Sequence, residues 1–199
     1  MKKLLLFLFL LLCLSVCTQA QTKVVKGYYM YWSKGSLAPA EIPWNDLTHV
    51  AHAFIWPSAD GSLVTSQAHH PALISEAHKN DVEIIIAVGG WGQSDAFPVI
   101  ASDSTLRTTF IENLKSYVLQ HGYDGVDLDW EYPSNADREN VTKLIREMHA
   151  AFEQEDKNIG ISIAMPSVDW QNGYNLPAIL DYVEWLGLMT YDFHGSWTD

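Results

Sequence analysis

The sequence predicts an α/β protein, a (β/α)8 TIM barrel represented by about six βα units and incomplete toward its C-terminal side. Three observations carry that reading. Short, almost continuously apolar runs recur along the chain, as parallel strands covered by helices do. Amphipathic helical stripes separate them, giving strand–helix alternation. Chemistry-bearing residues gather at the C-terminal ends of several runs, and the glycine fingerprint of an open doubly wound sheet is missing after the first.

The chain starts with Lys2-Lys3, an apolar run from Leu4 to Leu14 and small or polar residues up to Ala20. That is the pattern of a secretory signal peptide over residues 1–20. The apolar run is shorter than the roughly 20 residues that cross a bilayer. A single-pass anchor and lipid attachment at Cys17, where "LSVC" is similar to a bacterial lipobox, remain as alternatives. A secreted or extracellular location is therefore expected, with a periplasmic or lipid-anchored one as alternative. Residues 21–199 show no linker, repeat or low-complexity tract and read as one catalytic domain.

Both cysteines, Cys13 and Cys17, fall in the leader, so no disulfide is expected in the mature chain. Without Lys2 and Lys3, ten basic side chains face 24 acidic ones, a net charge of −14. Such a surface argues against nucleic acid and anionic membranes as partners. The eight Trp and nine Tyr fit carbohydrate binding, where flat rings stack on sugar faces.

The expected strands lie in the runs Lys23 to Trp32, Leu47 to Trp56, Val82 to Trp91, Gly125 to Glu131, Ile159 to Ser167 and Val183 to Asp192. Leu106, Phe110, Ile111, Leu114 and Val118 form one helical stripe closed by Gly122; Val141, Leu144, Ile145, Met148 and Phe152 form a second. A short helix is expected near Asn175, with Pro177 at an early position. A barrel usually takes about 250 residues, and six strands in 179 residues fall short of closure.

The fourth run, "DGVDLDWEYP" from Asp124 to Pro133, alternates acids with apolar residues. Residues two apart in a strand share a face, so Asp127, Asp129 and Glu131 line one side and Val126, Leu128 and Trp130 the other. Asp124, of opposite parity, reads as support for the start of the strand. Three stacked carboxylates raise one another's pKa and titrate together, which leaves a protonated acid at neutral pH for glycosidic cleavage. A solvated acidic edge strand and a divalent metal site are the competing readings of the acids alone. Among the eight histidines no His-Glu-x-x-His or comparable spacing occurs, and no metal or other cofactor is expected.

The run resembles the Asp-x-x-Asp-x-Asp-x-Glu signature of glycoside hydrolase family 18, the chitinases and their relatives, at Asp124, Asp127, Asp129 and Glu131. "GYYMYW", "AVGGW", "AMPS" and "MTYDFHG" are similar to its first, third, fifth and sixth strand motifs, in order. The resemblance implies that Glu131 is the general acid and that the substrate's own acetamido carbonyl is the nucleophile. It further implies that Asp129 orients the acetamide, that Asp127 holds or shares a proton with Asp129, and that Tyr191 and Asp192 grip the acetamido group. Tyr28, Phe54, Trp91, Tyr132, Met189 and Trp197 would contact sugar. The family's third-strand serine is replaced by Ala87, so Tyr28 or a water is expected to satisfy Asp127 instead.

The expected activity is retaining hydrolysis of β-1,4-linked N-acetylglucosamine polymers such as chitin. An endo-β-N-acetylglucosaminidase acting on glycans or peptidoglycan, a chitin-binding lectin and an inactive fragment are the alternatives. The sequence leaves the oligomeric state open.

Overall fold

The computed structural model describes residues 23–66, 68–155, 158–196 and 198 of the chain. The expected leader at 1–20, Cys17 and Trp197 lie outside the described residues. In chain order the strands are β1 (Lys26–Met30), β2 (His49–Pro57), β3 (Leu63–Val64), β4 (Glu83–Gly89), β5 (Gly125–Asp129), β6 (Gly160–Pro166) and β7 (Trp185–Met189). The helices are α1 (Pro71–Lys79), α2 (Phe97–Ser102), α3 (Ser104–His121), α4 (Arg138–Phe152) and α5 (Leu176–Ile179). Six strands form one parallel sheet in the order β1-β2-β4-β5-β6-β7, and β3 pairs antiparallel with β2. All six C-terminal ends therefore lie along one edge.

Side-chain alternation divides the sheet into two faces. Ile84, Ile86 and Val88 of β4, Val126 and Leu128 of β5, and Ile161 and Ile163 of β6 pack with Phe110, Leu114, Leu144 and Met148 of α3 and α4 in one buried cluster. Burying each such side chain contributes about 1.5–3 kcal/mol, so this helix-facing layer is the main source of stability. The expected stripes are the faces used. Asp103 caps α3 by accepting from Thr105 N and Leu106 N, and Gly122 ends it at φ 81°. Arg107 ties three helices together: it forks onto Glu147 of α4 at 2.8 Å through two nitrogens and donates to the Ala101 carbonyl of α2 at 2.8 Å.

The opposite face curls inward. Between small residues, among them Ala51, Ala87, Gly125, Gly160, Ala164 and Gly187, it presents the larger side chains of Lys26 and Tyr28 on β1, Ile85 on β4 and Trp185 on β7. The Lys26 ammonium stands 4.4 Å from the Trp185 ring centroid, so the first and last strands meet through their side chains across the curled sheet. In the described residues β1 and β7 have one neighbour each, and the barrel is open.

Strand ends differ from the sequence expectation. β1 stops at Met30, because Tyr31–Gly35 turns into a 3-10 helix, and β5 stops at Asp129 rather than Glu131. Beyond β5 the ladder gives way to loop contacts: the Asp129 carbonyl accepts from Gly90 N at 2.7 Å, and the Glu131 N–H donates to Ser94 Oγ at 2.9 Å.

Candidate active site

The acid row stands as its alternation requires. Val126, Leu128 and Trp130 are buried toward the helices, where Trp130 stacks on Phe97 with centroids 5.2 Å apart. Asp127 and Asp129 are buried on the inner face, and Glu131 follows, half-buried at the rim. Asp124 lies outside the row and ties strands: its Oδ2 accepts from Ile84 N at 2.8 Å and faces His78 Nε2 at 2.8 Å.

Asp127 is enclosed by donors from both sides. The Tyr28 hydroxyl donates to Oδ2 at 2.5 Å, the Lys26 ammonium to the same oxygen at 3.0 Å, and the Ser162 hydroxyl to Oδ1. Ala87, its register neighbour on β4, offers nothing. Tyr28 thus fills the role expected for it, with Lys26 and Ser162 in addition. The expected proton sharing between Asp127 and Asp129 has no direct bond behind it: no hydrogen bond joins the two, and their coupling runs through space.

Asp129 is the opposite case. Its Oδ1 is buried without a partner. Burial, reinforced by the charges of Glu131 and Asp127 and only partly relieved by Lys26, pushes its pKa up to about 8, so it is protonated at neutral pH. Burial also raises Glu131, against hydrogen bonds from the Tyr132 hydroxyl and the Trp91 N–H and with the Asp192 charge adding to the rise. One wall therefore carries Asp127, held by Lys26, Tyr28 and Ser162, and, above it, two acids disposed to hold protons.

Two clefts open above the row. One, of about 450 Å³, is walled by Tyr28, Phe54, Trp91, Asp129, Glu131 and Tyr191. The other, of about 920 Å³, is walled by Tyr132, Trp170, Met189, Asp192 and Phe193, and shares Trp91, Glu131 and Tyr191 with the first. Phe54 reaches its place through a register shift between Ala53 and Ile55, which releases it from the regular alternation of β2. Trp91 is 79% exposed after two glycines at φ 108° and 94°, and Asp192 takes φ 56°, a left-handed conformation that Asp tolerates better than most residues. Tyr132 links Trp91 (6.4 Å) to Trp170 (4.9 Å) in an edge-on aromatic chain.

The structure therefore brings together ten of the residues singled out in the sequence, from Tyr28 to Asp192, and leaves Asp124 in a supporting position. Sequence reasoning missed Lys26, Ser94, Ser162, Trp170 and Phe193. Lys26 shares strand parity with Tyr28, which was the available signal; Ser162 is the β6 register partner of Asp127, which only the fold reveals. Among the described residues no cluster of three or more His, Cys, Asp or Glu is arranged to hold a metal ion.

The sequence model of the glycosyl hydrolases family 18 matches residues 24–199. The Drosophila melanogaster protein named Probable chitinase 2 is 28% identical over 199 residues, covering 88% of this chain and 41% of its own length. The crystal structure of Ostrinia furnacalis group IV chitinase superposes with a TM-score of 0.80 at 28% identity, covering 88% of this chain and 53% of that one. A class V chitinase mutant from Nicotiana tobaccum in complex with NAG4 gives a TM-score of 0.78 at 25% identity, covering 87% and 54%. The chain spans about half the length of these relatives.

Proposed function

This chain belongs to glycosyl hydrolases family 18, and on that premise we propose that its acid row and paired clefts form the centre of a hydrolase for β-1,4-linked N-acetylglucosamine polymers, with chitin as the simplest substrate. The observation that carries the proposal is the place of Glu131: half-buried, raised in pKa, and on the wall common to both aromatic clefts. A glycan lying through both clefts has its scissile bond over that wall.

Chemically, Glu131 protonates the departing glycosidic oxygen, and the acetamido carbonyl of the sugar on the other side attacks its own anomeric carbon. The attack puts positive charge on the acetamide. Asp129 is the adjacent carboxyl, with an unpartnered oxygen available to accept from the acetamide N–H, which favours that charge. Tyr191 and Asp192 close the same region from the end of β7. Water then bonds to the anomeric carbon on the face the leaving sugar vacated, the bond from that carbon to the acetamido oxygen breaks, and Glu131 takes the proton the water gives up, which completes hydrolysis with retention.

The proposal is tested with a fluorogenic N,N′-diacetylchitobioside, using this chain and its Glu131→Gln variant, with circular dichroism as the folding control. Release by the parent, lost by about a hundredfold or more in the variant, is the expected result; equal rates in two folded proteins would sink it. Retention and export belong to the same proposal. Product anomers read by NMR check the first, and N-terminal sequencing of the exported chain, expected to begin at residue 21, checks the second.

A further inference from the structure

Lys26 is the cation among the described residues that pairs with the acid row, and its surroundings are unusual for a lysine. Its side chain is 10% exposed, its Nζ lies 4.6 Å from the Tyr28 ring centroid and 4.4 Å from that of Trp185, and it donates to Tyr28 Oη at 2.9 Å and to Asp127 Oδ2 at 3.0 Å. Two aromatic faces and one carboxylate thus replace its water. An ammonium held this way is committed to one carboxylate. On the β4 side of Asp127 stands the methyl group of Ala87, which can neither donate nor accept.

We propose that Lys26 is a positioning residue for the acid row: it holds Asp127 as an anion where the neighbouring strand supplies no donor, and so confines proton exchange to Asp129 and Glu131. The proposal rests on the reading of that row as a hydrolytic centre. The groups facing Asp127 are Lys26 and Tyr28 from β1, Ser162 from β6, and Asp129 and Glu131 further along its own segment, with Tyr191 beyond β7. Tyr28 and Ser162 satisfy oxygens but carry no charge. Among the described residues only Lys26 opposes the accumulation of negative charge in the row, and without it a further proton enters.

The experiment is a carboxyl ¹³C NMR titration of the aspartate-labelled full chain, parent against Lys26→Met, with the pH–rate profile on the fluorogenic chitobioside recorded in parallel. Removing a cation disfavours nearby anions. The midpoints of the two buried aspartates are therefore expected to rise by about one unit or more, and both limbs of the rate profile to move to higher pH. KM is expected to change by less than about twofold, because Lys26 lies below the clefts. Lys26→Arg keeps the parent midpoints, and adding Ala87→Ser to Lys26→Met recovers part of the shift by supplying a hydroxyl. Should Lys26→Met not fold, Lys26→Gln, which retains a donor without the charge, is read in the same way. Unmoved midpoints in a folded neutral variant overturn the proposal at any level of activity. Shifted midpoints in a chain that hydrolyses nothing sustain the role of Lys26 and remove the hydrolase reading instead.

Discussion

Gly89 and Asp129 approach so closely that a Cβ on residue 89 would stand 2.2 Å from the Asp129 carbonyl oxygen. Gly89 also sits at φ 108°, and the added atom would lie 2.8 Å from the Phe97 ring. Gly89→Ala therefore combines a forbidden backbone conformation with a collision against backbone. It is expected to cost about 3 kcal/mol or more, measured as a fall in the urea midpoint. A parent-like midpoint would mean that β4 and β5 have room to separate.

Ser162→Ala removes a donor from a fully buried carboxylate and leaves Asp127 Oδ1 without a replacement on that side. An unsatisfied buried acceptor costs about 1–3 kcal/mol, more when charged. The expected loss lies at the upper end of that range by chemical denaturation, whereas Ser162→Thr keeps the hydroxyl and is expected to recover most of it.

Asp129 makes stability depend on pH in an unusual direction. Its folded pKa is about 8, against about 3.9 for an unfolded aspartate. Between those values the folded chain holds a proton that the unfolded chain has released. This group's contribution therefore erodes as pH rises from about 4 to about 8 and stays unfavourable above that. Asp129→Asn is expected to match the parent near pH 4 and to exceed it by a few kcal/mol, on the order of magnitude of the linkage, above pH 8. Urea midpoints at pH 4, 6, 8 and 9 check this; a constant difference between the two proteins contradicts it.

Trp91 and Trp170 are 79% and 61% exposed, so truncating either to alanine is expected to change stability by no more than about 0.5 kcal/mol. If the clefts take sugar, each substitution weakens binding of chitin oligosaccharides by about 1 kcal/mol, roughly fivefold, through loss of a stacking face. Calorimetry on a Glu131→Gln background reads the affinity without turnover. Unchanged affinity in both variants would place the ligand elsewhere.

The period-two alternation of residues 126–131 was legible because it is local: six consecutive residues state which side each occupies, and burial of Val126, Leu128 and Trp130 follows. The stripes of α3 and α4 were legible for the same reason. Lys26 was not, since its partner lies 101 residues away, and a lysine in the first apolar run reads like any solvated strand residue. Ser162 and Ser94 were hidden likewise, because their roles come from register and loop closure between strands. Strand β3 and helix α2 are too short for periodicity to announce. The end of β5 escaped because it is set by Gly90 and Ser94, which belong to the loop after β4.

The alternation that seats the acids also constrains the gene. An inserted or deleted codon within Gly125–Asp129 would turn every following side chain to the other face, sending carboxylates among the α3 and α4 side chains and a tryptophan into the lumen. Substitutions change this segment one property at a time; a shift of one residue exchanges core and chemistry at once. Lineages carrying the fold should accept length changes in the loops flanking β5 while holding the strand at constant length, a pattern that a comparison of insertion sites across descendants of this sequence would reveal.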